Sequence, residues 1–155
     1  MSTGCIFCAV VAGQVPASIV WQDDTCIALM DLFPLHEGHV LVMPRTHAPL
    51  LNDLPASTRD HLFRVACRVI AAQKMLGLHA DGANLLVNDG KPANQHVPHV
   101  HIHLIPRDGG DLGKVGLRFA TRFLNPFGMD ARRQRLDALA GRLAAAMQAA
   151  VVTLP

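Results

Sequence analysis

Residues 99–105 read His-Val-His-Ile-His-Leu-Ile, and Pro106 follows. Successive side chains of a strand point to opposite faces. The alternation therefore predicts a strand over 99–105 with His99, His101 and His103 on one face and Val100, Ile102 and Leu104 on the other. A buried imidazole costs free energy unless its nitrogens find partners, so three in register are poor packing material. Histidine is also the side chain best placed to serve as base, acid, nucleophile or metal ligand near neutral pH. The pattern thus constrains both the sheet and the chemistry.

Around that strand the chain alternates short apolar runs with helical periodicity. Runs at 19–22 and 25–30 flank Asp23-Asp24, which signals a hairpin. Residues 38–43 predict a third strand, closed by Pro44. Asp53 is expected to cap a helix with Pro55 in its first turn. Leu62, Val65, Ala66, Val69, Ile70 and Leu76 follow helical spacing, and Gly77 suits the stop. Residues 83–87 predict another strand. Residues 107–129, rich in glycine and containing Pro126, read as irregular chain. Asp130 opens an Ala-rich amphipathic helix running to about Val151, with Leu136, Leu139, Leu143 and Met147 as a core stripe. Together these predict an α+β fold with a mainly antiparallel sheet, a central helix and a C-terminal helix.

A chain of 155 residues is expected to form one domain and can bury a real core without staples. Its formal net charge is only +2 and no Lys/Arg-rich run stands out, so bulk electrostatic binding to nucleic acid or a membrane surface is not expected. No segment approaches the roughly eighteen apolar residues of a membrane span. Residues 1–5 hold no basic region leading into an apolar stretch, so no signal peptide is expected and the cytoplasm is the expected compartment. There the four cysteines should stay reduced.

Several other residues carry chemistry. A neutral imidazole attacks phosphorus or an acyl carbon when its second nitrogen donates to a fixed acceptor. The loop 88–96 before the histidine strand (Asn-Asp-Gly-Lys-Pro-Ala-Asn-Gln-His) has a glycine and many donors, suited either to enclosing phosphate oxygens or simply to joining two strands. Cys5 and Cys8 form a CxxC pair, open to a metal, redox or packing role. A zinc site needs two more ligands, which the histidine strand and His47 could supply. Asp31, before Leu32-Phe33-Pro34, suits sugar hydroxyls or the start of a turn. His39, beside Gly38, could face the same cleft. His36, His61 and His79 are expected to be solvated, Cys26 and Cys67 to be core thiols, and Trp21 to lie in the core or an interface.

The run His-φ-His-φ-His-φ-φ, with φ apolar, resembles the signature of the histidine triad (HIT) superfamily. Four other segments agree in order and spacing. These are Cys5-Ile6-Phe7-Cys8 with Val15-Pro16-Ala17, then Asp31 to Pro34 followed by Gly38-His39-Val40-Leu41-Val42-Met43-Pro44, then His47, and Asn88-Asp89-Gly90 with Gln95. The resemblance covers about residues 4–107 and is nearest to the zinc-containing bacterial type, similar to the Hint and diadenosine polyphosphate hydrolase branches. Residues 108–155 match only as irregular chain plus helix.

The resemblance implies a HIT-like fold, a homodimer, and a hydrolase or transferase acting on a purine nucleotide or nucleotidyl conjugate. His101 would attack the α-phosphorus of a nucleoside phosphoramidate, a dinucleoside polyphosphate or a related compound. Water would then release a nucleoside monophosphate from the nucleotidyl-histidine. His103 and His39 would orient phosphate or nucleophile, and Asn88 and Gln95 would bind phosphate oxygens. Asp31 would take the ribose hydroxyls, with Ile6, Phe7, Val10, Val15, Leu29 and Leu32 forming an apolar slot for the base. Cys5, Cys8, His47 and His99 would hold a structural zinc ion in a closed tetrahedral set. Two departures mark this chain. His96 replaces the hydroxyl residue usual before the triad and would be a proton donor to the leaving group, and Asn94 replaces a glycine. A low-turnover nucleotide-binding protein that keeps the pocket is the alternative. A protein that binds a catalytic metal through all three histidines is a third reading, disfavoured because ligands at i, i+2 and i+4 on one strand spread too far to converge.

Overall fold

The strands predicted from alternation pair into one five-stranded antiparallel sheet. In the computed structural model, which describes residues 4–78, 82–121 and 128–151, β1 (Ile19–Gln22), β2 (Cys26–Met30), β3 (Val40–Pro44), β4 (Gly82–Val87) and β5 (Ile102–Arg107) take the order β1-β2-β3-β5-β4. The helices are α1 (Ile6–Val11), α2 (Ala56–Met75), α3 (Leu112–Thr121) and α4 (Met129–Val151). The fold is α+β, as the sequence predicts. No helix among the described residues is long and apolar enough to cross a membrane.

Every residue of β2 and β3 is buried because both faces of the sheet are covered. One face carries Met30, Val40, Val42, Ile102 and Leu104 and packs against α2 and against Leu136, Leu139, Leu143 and Met147 of α4. The other carries Ile27, Leu29, Leu41 and Met43 and is covered by Phe7, Val10 and Val11 of α1. The apolar half of the alternating run is thus core: Val100, Ile102 and Leu104 are each at most 1% exposed.

The helix boundaries follow from end chemistry. At the end of α2 the Leu78 amide bonds the Gln73 carbonyl and the Gly77 amide bonds that of Lys74, with Gly77 at φ +67°. This is the Schellman stop, which requires a left-handed residue. At the other end Asp53 does not cap the helix. It closes a separate 3-10 turn, accepting from the Leu50 amide (3.0 Å), and α2 starts after Pro55.

Four further expectations need correction. Residues 107–129 are not all irregular: α3 forms despite Gly113 and Gly116, whose low helix propensity hides it in the sequence. Asp111 anchors its start, bonding Arg107 and the Asp108 amide. Cys67 is exposed rather than a core thiol. His61 is paired with Asp23 at 2.8 Å, and His36 lies 3.3 Å from Asp108, so neither is simply solvated. His79 and Pro126 lie outside the described residues.

Two measurements check this packing. Leu104 is wholly buried on the face away from the histidines, so Leu104→Ala should lower unfolding free energy in urea by about 2–5 kcal/mol. The hydrogen bonds from Arg107 hold the Asp111 carboxyl down at about 2. A depressed carboxyl stabilises above its unfolded pKa and loses that contribution as pH falls through the folded value. The stability difference between wild type and Arg107→Ala should therefore be constant above about pH 4 and shrink toward pH 2.

Candidate active site

The histidine run enters the sheet later than alternation alone predicts. β5 starts at Ile102, while His99 lies in a bend, its amide bonding the Val97 carbonyl at 2.8 Å, and residues 100–101 lead into the strand. The register pairs Ile102 with Val42, so continuing it would set Val100 against Pro44, which has no N–H to donate. The Val100 amide instead bonds the Ala48 carbonyl at 2.8 Å, and the Pro44 carbonyl accepts from His99 Nε2 at 2.9 Å. The alternation of faces survives the loss of the ladder.

A carbonyl can only accept, so the 2.7 Å contact between His101 Nδ1 and the His99 carbonyl puts the proton on Nδ1. In the neutral ring Nε2 is then a bare lone pair. Burial pushes the His101 pKa below its ordinary value, against the raising effects of that bond and of Asp31, so the neutral form prevails near pH 7. Phe7 meets the ring edge-on, with centroids 5.1 Å apart.

His103 is set by a second chain of bonds. The Leu35 amide donates to His39 Nδ1 at 3.2 Å, which makes that nitrogen an acceptor. His39 therefore carries its proton on Nε2 and donates it to His103 Nδ1 at 3.0 Å. A neutral His103 then holds its own proton on Nε2. The neighbouring rings, with centroids 4.8 Å apart, thus present opposite functions: a lone pair on His101 and an N–H on His103.

Both rings line a cavity of about 380 Å3 whose wall includes Asp31, Asn88, Asn94 and His96 and the apolar slot of Ile6, Phe7, Val10, Val15, Leu29 and Leu32. Those residues are where the sequence places a substrate. Asp31 accepts from the Phe33 amide at 2.8 Å and sits 3.5 Å from His39 Nδ1. Three predicted residues do not line the cavity. His39 is buried behind His103 and His99 faces the cysteines. Gln95 spends its amide on the loop, donating to the Pro49 carbonyl (2.8 Å) and accepting from the Gly90 amide (3.0 Å). Asn94 adopts φ +66°, a left-handed conformation that asparagine tolerates better than most residues.

Beside this cavity, Cys5, Cys8, His47 and His99 bring their donor atoms within 4.8 Å of one another. The measured separations are 3.5 Å (Cys5 Sγ to His99 Nδ1), 3.3 Å (Cys8 Sγ to His47 Nδ1) and 3.7 Å (Cys8 Sγ to His99 Nδ1). Tetrahedral bonds of about 2.0–2.3 Å set ligand atoms roughly 3.3–3.8 Å apart, so the set fits a zinc-sized ion. Because His99 Nε2 donates to Pro44, its Nδ1 lone pair faces the thiols, as a ligand requires. The three histidines do not converge on one ion: His99 belongs to this cluster and His103 to the His39 pair.

A second group, Asp23, Cys26 and His61, also brings its donor atoms within 4.8 Å of one another. Burial alone would raise the Asp23 carboxyl, but bonds from Trp21, His61 and the Cys26 and Thr25 amides outweigh it and hold it well below the usual range. Burial, with the Asp23 charge, pushes the Cys26 thiol up to about 12. Trp21 stacks under Arg68, 4.2 Å from its ring centroid, only partly in the core.

Two contributors escaped the sequence: Arg133 of α4, which lines the cavity, and a glutamine. Gln73, wholly buried on α2, donates to the Gly38 carbonyl at 2.8 Å and so fixes the turn before His39. A glutamine beside the apolar stripe of α2 was the available signal.

Residues 12–110 match the family model described as the HIT domain. The chain is 36% identical over 107 residues to an uncharacterized HIT-like protein of Methanocaldococcus jannaschii, covering 69% of this chain and 81% of that one. It is 31% identical over 122 residues to an adenosine 5′-monophosphoramidase of Schizosaccharomyces pombe, covering 79% and 87%. Among solved structures, a Zn-bound histidine triad family protein from Mycobacterium smegmatis superposes with a TM-score of 0.77 at 35% identity, covering 99% of this chain and 100% of that one. With the triad, the sheet and the four-donor cluster in place, these likenesses settle the kinship: the chain belongs to the HIT family.

Proposed function

We propose that this protein is a nucleotide hydrolase acting at the α-phosphorus of a nucleoside phosphoramidate, dinucleoside polyphosphate or related nucleotidyl compound. The observation that carries the reading is the bare Nε2 of His101, fixed by the Nδ1 bond to the His99 carbonyl beside a cavity with an apolar slot. The similarity to a monophosphoramidase supports the same class.

His101 Nε2 attacks the α-phosphorus, forming an N–P bond as the bond to the leaving group breaks. The His103 N–H, held outward by His39, donates to a phosphate oxygen, and Asn88 adds a second donor. His96 gives the proton that the departing nitrogen or oxygen needs. Water then attacks the nucleotidyl-histidine from the vacated side, the N–P bond breaks, and a nucleoside monophosphate leaves. Two displacements avoid activating water and expelling a poor leaving group at once. Asp31 takes the ribose hydroxyls and the apolar slot a purine. Gln95 keeps the loop in shape rather than touching phosphate.

Cys5, Cys8, His47 and His99 would hold zinc, which in a closed four-ligand set supplies structure rather than an open coordination position. It would tie α1, and with it Phe7, to the chain leading into β5. We read residues 1–155 as one domain because α4 packs on the same core as α2. We read the working form as a cytoplasmic homodimer, with edge strand β4 and its exposed Leu85 and Leu86 as the surface that supports pairing.

With adenosine 5′-phosphoramidate as substrate, the protein should release AMP, and His101→Ala should cut turnover by about 10³-fold or more with unfolding unchanged. Turnover retained within tenfold would overturn the nucleophile assignment. Elemental analysis should find about one zinc per chain, retained in His101→Ala and lost in Cys5→Ser/Cys8→Ser together with thermal stability. Absence of zinc from protein purified without chelator would contradict the metal reading.

A further inference from the structure

Behind the Phe33 wall of the nucleotide cavity lies a second, larger one of about 620 Å3, bounded by the turn after β2, by α3 and by α4. Arg118 of α3 and Arg132, Arg135 and Arg142 of α4 line it, with Glu37 as the one acidic residue among the described residues. Among the described residues, four arginines against one glutamate give the lining a net +3, more than the +2 of the whole chain. The weak overall charge therefore hides a concentrated basic site, to which Arg132 and Arg135 of the short run Arg132-Arg133-Gln134-Arg135 contribute while Arg133 lines the first cavity.

Arg135 and Arg142 are not part of a salt-bridged helix surface. Arginines on such a surface have an acidic residue three or four positions away, and Arg132, Arg135 and Arg142 have none. Asp137, the acid inside that stretch, is occupied by Ser18 Oγ at 2.6 Å. Among the described residues the side chains of Arg135 and Arg142 make no hydrogen bond or ion pair. Arg132 stacks over Phe33 at 5.2 Å, and Arg118 reaches the Leu35 carbonyl at 3.4 Å, so both are held at the cavity wall.

We propose that this cavity is a second anion-binding site, shaped for an oligophosphate or a comparably phosphorylated group. Guanidinium groups engage phosphate through paired N–H donors. Ten residues of helix separate Arg132 from Arg142, a span of about 15 Å, which is too long for one phosphate and suits a chain of them. The phosphates come either from a free oligophosphate or from a nucleotide in the neighbouring cavity that carries a second phosphate past Phe33. The site itself rests on the arginine cavity alone; only that second source depends on the nucleotide reading.

Calorimetric titration of the full chain with sodium tripolyphosphate, in the presence of saturating AMP, tests the site. Binding should be seen, should weaken with added salt, and should fall by roughly ten- to hundredfold in Arg135→Ala/Arg142→Ala. The affinity for AMP should not change in that variant, and His101→Ala should bind tripolyphosphate as wild type does. A preference for adenosine 3′,5′-bisphosphate over AMP that disappears in the double variant assigns the site to phosphates on the nucleotide, and its absence assigns it to the free chain. Arginine-dependent binding of tripolyphosphate without any AMP binding would sustain this site while removing the nucleotide reading. Binding indifferent to the two arginines, or no binding of either phosphate probe beyond that of AMP, overturns the proposal.

Discussion

A single hydrogen bond, 2.7 Å from His101 Nδ1 to the His99 carbonyl, decides what the triad can do. It selects the tautomer and aims the lone pair, and it requires the chain at 99–101 to hold its shape without a strand ladder. That shape has three supports. His99 Nε2 bonds the Pro44 carbonyl, the Val100 amide bonds Ala48, and Val100 is sealed in the core. The four-donor cluster at His99 adds a fourth. Core packing, a proline carbonyl and a metal-compatible set thus converge on one imidazole.

The two faces of the sheet divide the work. One is filled by the long helices α2 and α4 and supplies stability. The other is covered by the six-residue α1, and beside that short lid His101 and His103 line a cavity. The histidines are unequal because their partners differ: a carbonyl for His101, another imidazole for His103. Gln73 and the Leu35 amide extend the second chain of bonds into α2 and the turn before β3.

Much of this was legible in residue order, since burial on a strand has a period of two and the triad displays it. The faces of Val100, Ile102 and Leu104 followed directly, as did the stop at Gly77. The start of β5 did not, because Pro44 limits the ladder from a different strand. The roles of Gln95 and Gln73 were equally hidden: an amide in a loop or a helix does not announce whether it faces a ligand or a backbone carbonyl. α3 was obscured by its glycines, with Asp111 and Arg107 supplying what propensity lacks. The arginine cavity was masked by averaging, as acidic residues elsewhere cancel in the total charge what the fold keeps apart.

The central claim is that the His101 lone pair becomes covalently bonded to phosphorus. Rapid mixing with adenosine 5′-phosphoramidate, quenching under alkaline conditions and peptide mass spectrometry would test it most directly. An adenylyl group on the peptide containing residue 101, formed and lost at rates compatible with turnover and absent from His101→Ala, is the predicted result. Turnover with no protein-bound nucleotide at any mixing time, and with inversion at a chiral phosphorus, would contradict it.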